Sequence, residues 1–359
     1  MKVLLTGGGG YIGVVLCERL LAAGHAVRVV DRLFWGRSPL RHLLDRIELV
    51  QADVRTLDES MFDGVEGVVH LAGLSNDPTA EYNPQANWEM NALATEKLAA
   101  ACRRRRIRRF TFGSSASVYD GLGDGIFDED TKVVPRGAYS RSKFAAEQAL
   151  LQAADDSFAP VILRQGTVYG FSPRMRLDLV VNTFIKDALL RGKLFLHGGG
   201  WMWRPLVDIQ DVAEAHVRCL EEPVGKVGGQ IFNVVHQNFQ IRQLAMLVAG
   251  SLSMRNQTVV LEDAPMPSIN RDYRCANRKL HDRLGFTPHT SVLESIEGIL
   301  QQLPADNAME LAHPRYYNIA WMTLLEQIWE LRGPFSSVWS AEMLPAAAPQ
   351  FTGPAAGSS

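Results

Sequence analysis

From Val3 to about Val168, short runs of β-branched residues alternate with longer stretches whose apolar positions recur at helical spacing. That is the pattern of a parallel sheet covered by helices on both faces. The runs predict strands at Lys2 to Thr6, Ala26 to Val30, Glu48 to Ala52, Gly67 to Leu71, Arg109 to Ser114 and Val161 to Gly166. The stretches between them predict helices that include Val14 to Ala23, Asn87 to Arg103 and Tyr139 to Ala154, each rich in Ala, Leu and other strong helix formers. Six strands joined by right-handed crossovers predict a Rossmann-type, doubly wound α/β fold. Beyond Tyr169 the pattern loosens into segments broken by Gly198-Gly199-Gly200, Pro205, Pro223 and Pro265-Met266-Pro267, as expected where loops enclose a ligand. The expected organisation is a first domain over residues 1–170 and a smaller C-terminal substrate lobe over 171–333, with some segments of the lobe returning to the first domain. Residues 334–359 hold four Pro and an Ala346-Ala347-Ala348 run, and are expected to form a disordered tail because they cannot bury enough to fold alone.

Composition narrows the function classes without choosing one. With 359 residues, 47% of them hydrophobic and 21% charged, the chain is neither collagen-like nor disordered. Its 37 Lys and Arg against 39 Asp and Glu give no overall pull toward nucleic acid, and none is expected as a partner. The basic run Arg103-Arg104-Arg105-Arg106-Ile107-Arg108-Arg109 ends a helix, where cations suit the dipole and stay solvated. Cys17, Cys102, Cys219 and Cys275 form no C-x-x-C pair and read as reduced packing residues. No apolar run approaches the roughly 20 residues of a membrane span, and the N-terminal run is too short for a signal peptide. A cytoplasmic protein with no membrane partner is expected. None of the nine His falls in a ligand-spaced cluster, so no metal is expected.

The candidate chemistry begins at Thr6-Gly7-Gly8-Gly9-Gly10-Tyr11-Ile12-Gly13, directly after the first strand and before a helix. Gly7 permits a tight turn, Gly10 lets backbone approach a pyrophosphate, and Gly13 allows close packing of helix on strand. Asp31 ends the second strand, at the distance expected of a carboxylate that bonds ribose hydroxyls. The alternative is a glycine-rich turn with Asp31 as a local cap. Asp31 would repel a 2′-phosphate, which favours NAD over NADP, whereas Arg32 and Arg37 would attract one.

Tyr139 and Lys143, four apart at the start of an Ala-rich helix, share one face. A phenol is a poor base at neutral pH, but a nearby ammonium and an oxidised nicotinamide both favour its anion. The bland alternative is an exposed i,i+4 pair. Upstream, Phe112-Gly113-Ser114-Ser115-Ala116-Ser117-Val118-Tyr119 places serines just past a strand's carboxyl end, where they bond a reacting oxygen or simply cap a turn.

The order of these motifs, together with Asp53-Val54, His70-Leu71-Ala72-Gly73, Asn91 and Leu163-Arg164-Gln165-Gly166-Thr167-Val168-Tyr169-Gly170, resembles the extended short-chain dehydrogenase/reductases. Within them it is similar to the NAD-dependent nucleotide-sugar epimerase/dehydratase family, over about residues 1 to 320. The resemblance implies Ser115, Tyr139 and Lys143 as the catalytic triad, with Ser115 preceding Ala116-Ser117-Val118-Tyr119 as in the epimerases. It implies a cofactor site made of Gly7, Gly10, Tyr11, Ile12, Gly13, Asp31, Arg32, Asp53, Val54, Leu71, Ala72, Gly73 and Asn91, with Asp53 and Val54 flanking adenine. It also implies that Lys143 holds the nicotinamide ribose. Ser117, Thr167 and Asn182 are candidate substrate contacts. So are Arg204, in Trp203-Arg204-Pro205-Leu206-Val207-Asp208, and Arg271, in Arg271-Asp272-Tyr273-Arg274, from family segments that pair with a nucleotide diphosphate.

Family members that eliminate water from a sugar carry an acidic pair after the catalytic hydroxyl residue, and this chain has Ala116 and Ser117 there. A 4,6-dehydratase or a decarboxylase is therefore disfavoured. The leading expectation is an NAD-dependent 4-epimerase that forms a transient 4-keto nucleotide sugar and works as a homodimer through two helices per subunit, Asn87 to Arg103 and Tyr139 to Ala154. An NAD(P)-dependent 4-ketoreductase or dehydrogenase of a nucleotide sugar or other small carbonyl compound stays open, as does a non-catalytic NAD(P)-binding regulator on the same fold.

Overall fold

The computed structural model describes residues 1–266, 271–303 and 308–330. Its main strands are β1 (Lys2–Thr6), β2 (Ala26–Asp31), β3 (Ile47–Gln51), β4 (Gly67–His70), β5 (Arg109–Ser115), β6 (Ala159–Gln165) and β7 (Ile231–Val234). They form one parallel sheet in the order β7-β6-β5-β4-β1-β2-β3. This is the doubly wound Rossmann-type architecture that the alternating pattern predicts. Its strands are nearly continuous apolar runs because both faces are covered. The chain runs outward from β1 through β2 and β3 and returns to place β4 on the other side of β1. The strand order thus reverses between β1 and β4, where a crevice opens.

The six predicted strands are present, and a seventh joins from the second half of the chain: β7 lies beside β6 with Ile231 opposite Ile162. Four residues after a Gly-Gly turn carry too little pattern to announce a strand; the neighbouring strand supplies the reason it forms. Helix α1 (Tyr11–Ala22) follows β1, α2 (Ala94–Arg104) precedes β5, and α3 (Ala138–Ala153) precedes β6. The helix predicted to start at Asn87 begins instead at Pro84 and passes through a π turn at Glu89–Leu93 before continuing as α2.

The second half packs onto the sheet. Strands Thr167–Tyr169, Trp203–Asp208 and Gln237–Gln240 make a small sheet of their own. Helix α4 (Ile209–Glu221) lies against α1. One apolar cluster runs from Val3 and Leu16 to Ile296 and Ile299, so both halves share a core. A last described helix, α5 (Asn318–Glu330), returns to the first half and packs on Phe34, Trp35 and Met90. All four cysteines are buried and free. Among the described residues no helix is long and apolar enough to cross a membrane. Pro267 and the expected tail at 334–359 lie outside the described residues.

Candidate active site

Register places the candidate residues at one edge of the sheet. Thr6 pairs with both Val30 and His70, and Ser115 pairs with Gln165. The carboxyl ends of β1, β2, β4 and β5 therefore open into one cavity. Its lining includes Gly7, Gly10, Tyr11, Ile12, Gly13, Asp31, Arg32, Val54, Leu71, Ala72, Gly73, Tyr139 and Lys143.

The glycine turn is as tight as its composition suggests. Gly7 has φ 76°, and a Cβ there would lie 2.6 Å from the Ala72 amide nitrogen. A Cβ on Gly13 would stand 2.1 Å from the Gly7 carbonyl oxygen, so only glycine lets α1 start this close to the turn. Helix α1 has Gly10 as its N-cap, with no side-chain cap and no acid in its first turn. Its free amides and positive dipole end face the cavity, an arrangement suited to an anion. The Asp31 carboxylate accepts the amides of Gly9 at 2.9 Å and Leu33 at 2.7 Å. Burial nevertheless raises its pKa above the ordinary carboxylate value. Arg32 pairs with Asp53 at 3.0 Å and lies over the Phe34 ring. Asp53 is itself buried, accepting from the Arg55 amide and guanidinium, so it stands one layer behind Val54.

Asn91 is also behind the cavity wall. It sits in the π turn and is fully buried. Its Oδ1 accepts the Leu74 amide at 2.8 Å, and its Nδ2 donates to the Leu74 carbonyl at 2.9 Å and to Ser142 Oγ at 3.1 Å. One side chain thus ties the turn after β4 to α3, next to Lys143. A π turn re-aims a residue by one position, and such turns recur at functional sites.

Helix α3 presents Tyr139 and Lys143 to the cavity. Burial raises the Tyr139 phenol above its ordinary value, against a hydrogen bond from Ser115 and the positive charge of Arg271. Lys143 Nζ donates to the Gly113 carbonyl at 2.9 Å, and burial pushes its pKa down to about 8. His70 bonds Thr6 Oγ1 and Thr95 Oγ1 at 2.7 and 2.9 Å, and burial pushes it down to about 3, which keeps it a neutral core residue.

The candidate substrate contacts spread over several layers. Ser117 is fully buried and bonded to Ser140. Thr167 pairs with Leu206 in the small sheet. Asn182 is fully buried behind Tyr11, donating to its hydroxyl at 3.1 Å and to the Arg176 carbonyl at 2.9 Å. Arg271 ion-pairs with Asp77 and lies 6.0 Å from the Tyr139 ring centre. Arg204 makes no ion pair with Asp208 or Asp211. Its Nη1 donates to the Trp203 carbonyl at 2.8 Å, and burial lowers its pKa.

Sequence reasoning missed Trp35, Arg174, Arg176, Asn318 and Met322, all of which line the cavity. Arg176 is locked to Asp178, at 2.8 Å through Nε, and to Ser75. The signal available was two arginines two residues apart, Arg174 and Arg176, in the loop straight after the Gly170 turn.

Comparison with known proteins agrees with this geometry. The model of the NAD dependent epimerase/dehydratase family matches residues 3–234. A protein of Bacillus subtilis (strain 168) described as an uncharacterized UDP-glucose epimerase is 34% identical over 239 residues, covering 62% of this chain and 73% of the relative. The UDP-glucose 4-epimerase of Mycolicibacterium smegmatis is 30% identical over 310 residues, covering 82% and 96%. Among solved structures, MoeE5 in complex with UDP-glucose and NAD superposes with a TM-score of 0.73 at 26% identity, covering 84% of this chain and 98% of that one. A UDP-glucuronic acid 4-epimerase from Bacillus cereus shares the fold, with a TM-score of 0.75 at 23% identity over 87% of this chain and 100% of that one.

Proposed function

Starting from the premise that this chain belongs to the NAD dependent epimerase/dehydratase family, we propose that it is a nucleotide-sugar 4-epimerase acting through a transient 4-keto sugar. It is an NAD-dependent enzyme of the extended short-chain dehydrogenase/reductase type. The cavity fits the dinucleotide on three counts: the close approach that Gly7 and Gly13 permit, the uncapped start of α1, and Asp31 at the end of β2. Arg32 already has a counter-charge in Asp53 and lies over Phe34, which supports NAD over a 2′-phosphorylated cofactor. Residues 1–170 are read as the cofactor-binding part and the small sheet and helices beyond it as the substrate lobe.

When bound, NAD supplies the hydride acceptor and donor at the sugar C4. Tyr139 takes the proton of the 4-hydroxyl and returns it once the ketone has presented its other face. Ser115 hydrogen-bonds the same oxygen and steadies it while charge develops. Lys143, desolvated beside Tyr139, favours the phenolate through its positive charge. Arg204 and Arg271 hold the nucleotide diphosphate, with Arg271 releasing Asp77 or sharing it.

The observation that carries this reading is the buried, uncharged pair Ala116 and Ser117 after Ser115. Elimination of water needs an acid and a base there, whereas epimerisation needs only one phenol and hydride transfer. The test is to incubate the purified protein with a panel of nucleotide sugars and trace NAD, following nicotinamide absorbance and sugar stereochemistry together by NMR. A new 4-epimer without net NADH is expected. Net NADH with an oxidised sugar would replace the epimerase by a dehydrogenase or ketoreductase, and loss of water would make it a dehydratase.

A further inference from the structure

The cavity wall holds a cation that no carboxylate among the described residues neutralises. Arg174 follows the Gly170 turn, is 4% exposed and lines the same cavity as Tyr11 and Ile12 at the start of α1. Among the described residues no carboxylate pairs with it. Its Nη2 donates to Asn318 Oδ1 at 2.5 Å, while Nε and Nη1 have no hydrogen-bond partner. Its guanidinium carbon lies 3.7 Å from the Trp35 ring centre. The neighbouring carboxylates are engaged elsewhere, Asp31 with two backbone amides and Asp178 with Arg176.

A buried, unpaired guanidinium carries an uncompensated desolvation penalty unless a ligand supplies the missing charge. An uncapped helix start lining the same cavity calls for that same charge, an anion. Burial and the adjacent Arg176 pull the Arg174 pKa down to about 9, against the more distant charges of Asp178 and Asp31.

We propose that Arg174 binds the diphosphate of the dinucleotide opposite the start of α1, and that Trp35 and Asn318 hold its guanidinium there, which makes α5, the last described helix, part of the cofactor site. The proposal rests on the reading of this cavity as a dinucleotide site. Trp35 lies with its ring under the guanidinium carbon and also donates through Nε1 to the Arg315 carbonyl at 2.9 Å, so the loop after β2 and the approach to α5 are joined at the same point. Asn318 anchors the other side, its amide reaching Asp178 at 3.2 Å and its Nδ2 reaching Ser75 at 3.3 Å. A planar fork held on both sides loses little freedom when it takes two phosphate oxygens.

The test compares two probes that differ only in the diphosphate, adenosine and ADP, on cofactor-free protein by titration calorimetry or ligand-observed NMR. Arg174→Met is expected to weaken ADP and NAD about ten- to a hundredfold, the range of a charge-assisted hydrogen bond, and to leave adenosine unchanged. It is also expected to melt no lower than wild type without ligand, because the substitution removes an unpaired buried charge, and to lose most of the NAD-induced rise in Tm. A residue that merely supports the fold would lower the unliganded Tm and weaken both probes alike. Should Arg174→Met fail to fold, Asn318→Leu carries the same comparison with the charge retained, and it too is expected to weaken ADP more than adenosine. Equal effects on the two probes, or none, overturn the role of Arg174. Wild-type protein that binds neither NAD nor ADP overturns the dinucleotide reading itself, and this proposal with it.

Discussion

The ammonium of Lys143 donates to the carbonyl oxygen of Gly113 at 2.9 Å and stands 4.7 Å from the centre of the Phe112 ring. Neither neighbour is an anion. The nearest acid along the helix, Glu147, is taken by Arg164 at 2.7 Å and by Ser114. Helix α3 thus keeps a desolvated cation one turn from Tyr139, and β5 holds it with a carbonyl dipole and an aromatic face.

This arrangement makes the stability of the unliganded protein depend on pH in a known direction. Lys143 titrates at about 8 in the folded chain and near its ordinary value when unfolded. Between those values the unfolded chain binds a proton that the folded chain lacks, so this group makes stability rise with pH through the window and withdraws that stability as pH falls through about 8. Lys143→Met, which removes the cation and keeps the packing, should therefore melt above wild type at neutral pH. The difference in Tm should shrink as the pH is raised from neutrality towards the ordinary lysine value. Calorimetry of both proteins across that range measures it, and a difference independent of pH would remove the burial of Lys143 as its cause.

Tyr139 carries the proton chemistry in the proposed reaction. Tyr139→Phe should keep NAD affinity within a small factor while lowering turnover by roughly 10² to 10⁴, the usual loss for a general acid or base. Fluorescence titration with NAD and NMR turnover on the same preparation separate the two effects. Turnover near that of wild type would take Tyr139 out of the mechanism.

Much of this site was readable from the chain because its parts are local. The Gly7 to Gly13 turn, Asp31 and the Tyr139 and Lys143 pair each lie within one strand-to-helix step, and the parallel register brings those steps to one edge. What escaped is held by long-range contacts. Asn318 and Met322 reach the cavity only because α5 folds back on Phe34 and Trp35, about as far along the chain as two elements can be. Asn91 was legible as a motif residue, but its work as a strut between Leu74 and Ser142 depends on the π turn, which no periodicity announces. Asn182 looked like a pocket residue on its helix and lies instead fully buried behind Tyr11, its amide spent on the Tyr11 hydroxyl and the Arg176 carbonyl.

Gly13→Ala tests the close approach of α1 to the turn. The added Cβ would meet a backbone oxygen, not a side chain that could swing away. Cofactor affinity should fall at least tenfold and the Tm should drop, both read from NAD titration and thermal melts. Gly225→Ala, where an added Cβ meets nothing within 4 Å, should change neither. Normal NAD binding by Gly13→Ala would show that the turn can open without cost.

Arg204 tests the substrate side. Its guanidinium is half-buried, within electrostatic reach of Tyr273, Arg271, Asp120 and Asp272, and among the described residues no carboxylate forms an ion pair with it. Arg204→Ala should weaken a nucleotide sugar by about ten- to a hundredfold, as expected for a lost charge-assisted contact, while NAD affinity stays near that of wild type. Parallel titrations with NAD and the sugar identified by turnover decide it. Equal losses for both ligands would sink the diphosphate assignment.

The two helices expected to join subunits lie side by side, α2 against α3. The stretch leading into α2 leaves Trp88 and Leu93 exposed, and α3 turns Ala145 and Ala149 partly outward. Large apolar side chains beside short ones on a neighbouring helix allow close helix approach, and a two-fold axis would bury both copies of each in one four-helix contact. Light scattering should therefore give twice the mass of one chain. The double substitution Trp88→Glu and Leu93→Glu should give a monomer that still binds NAD, because neither side chain lines the cavity. A wild-type monomer at working concentrations would rule out the two-helix interface, and a double variant that remains dimeric would move the interface to another face.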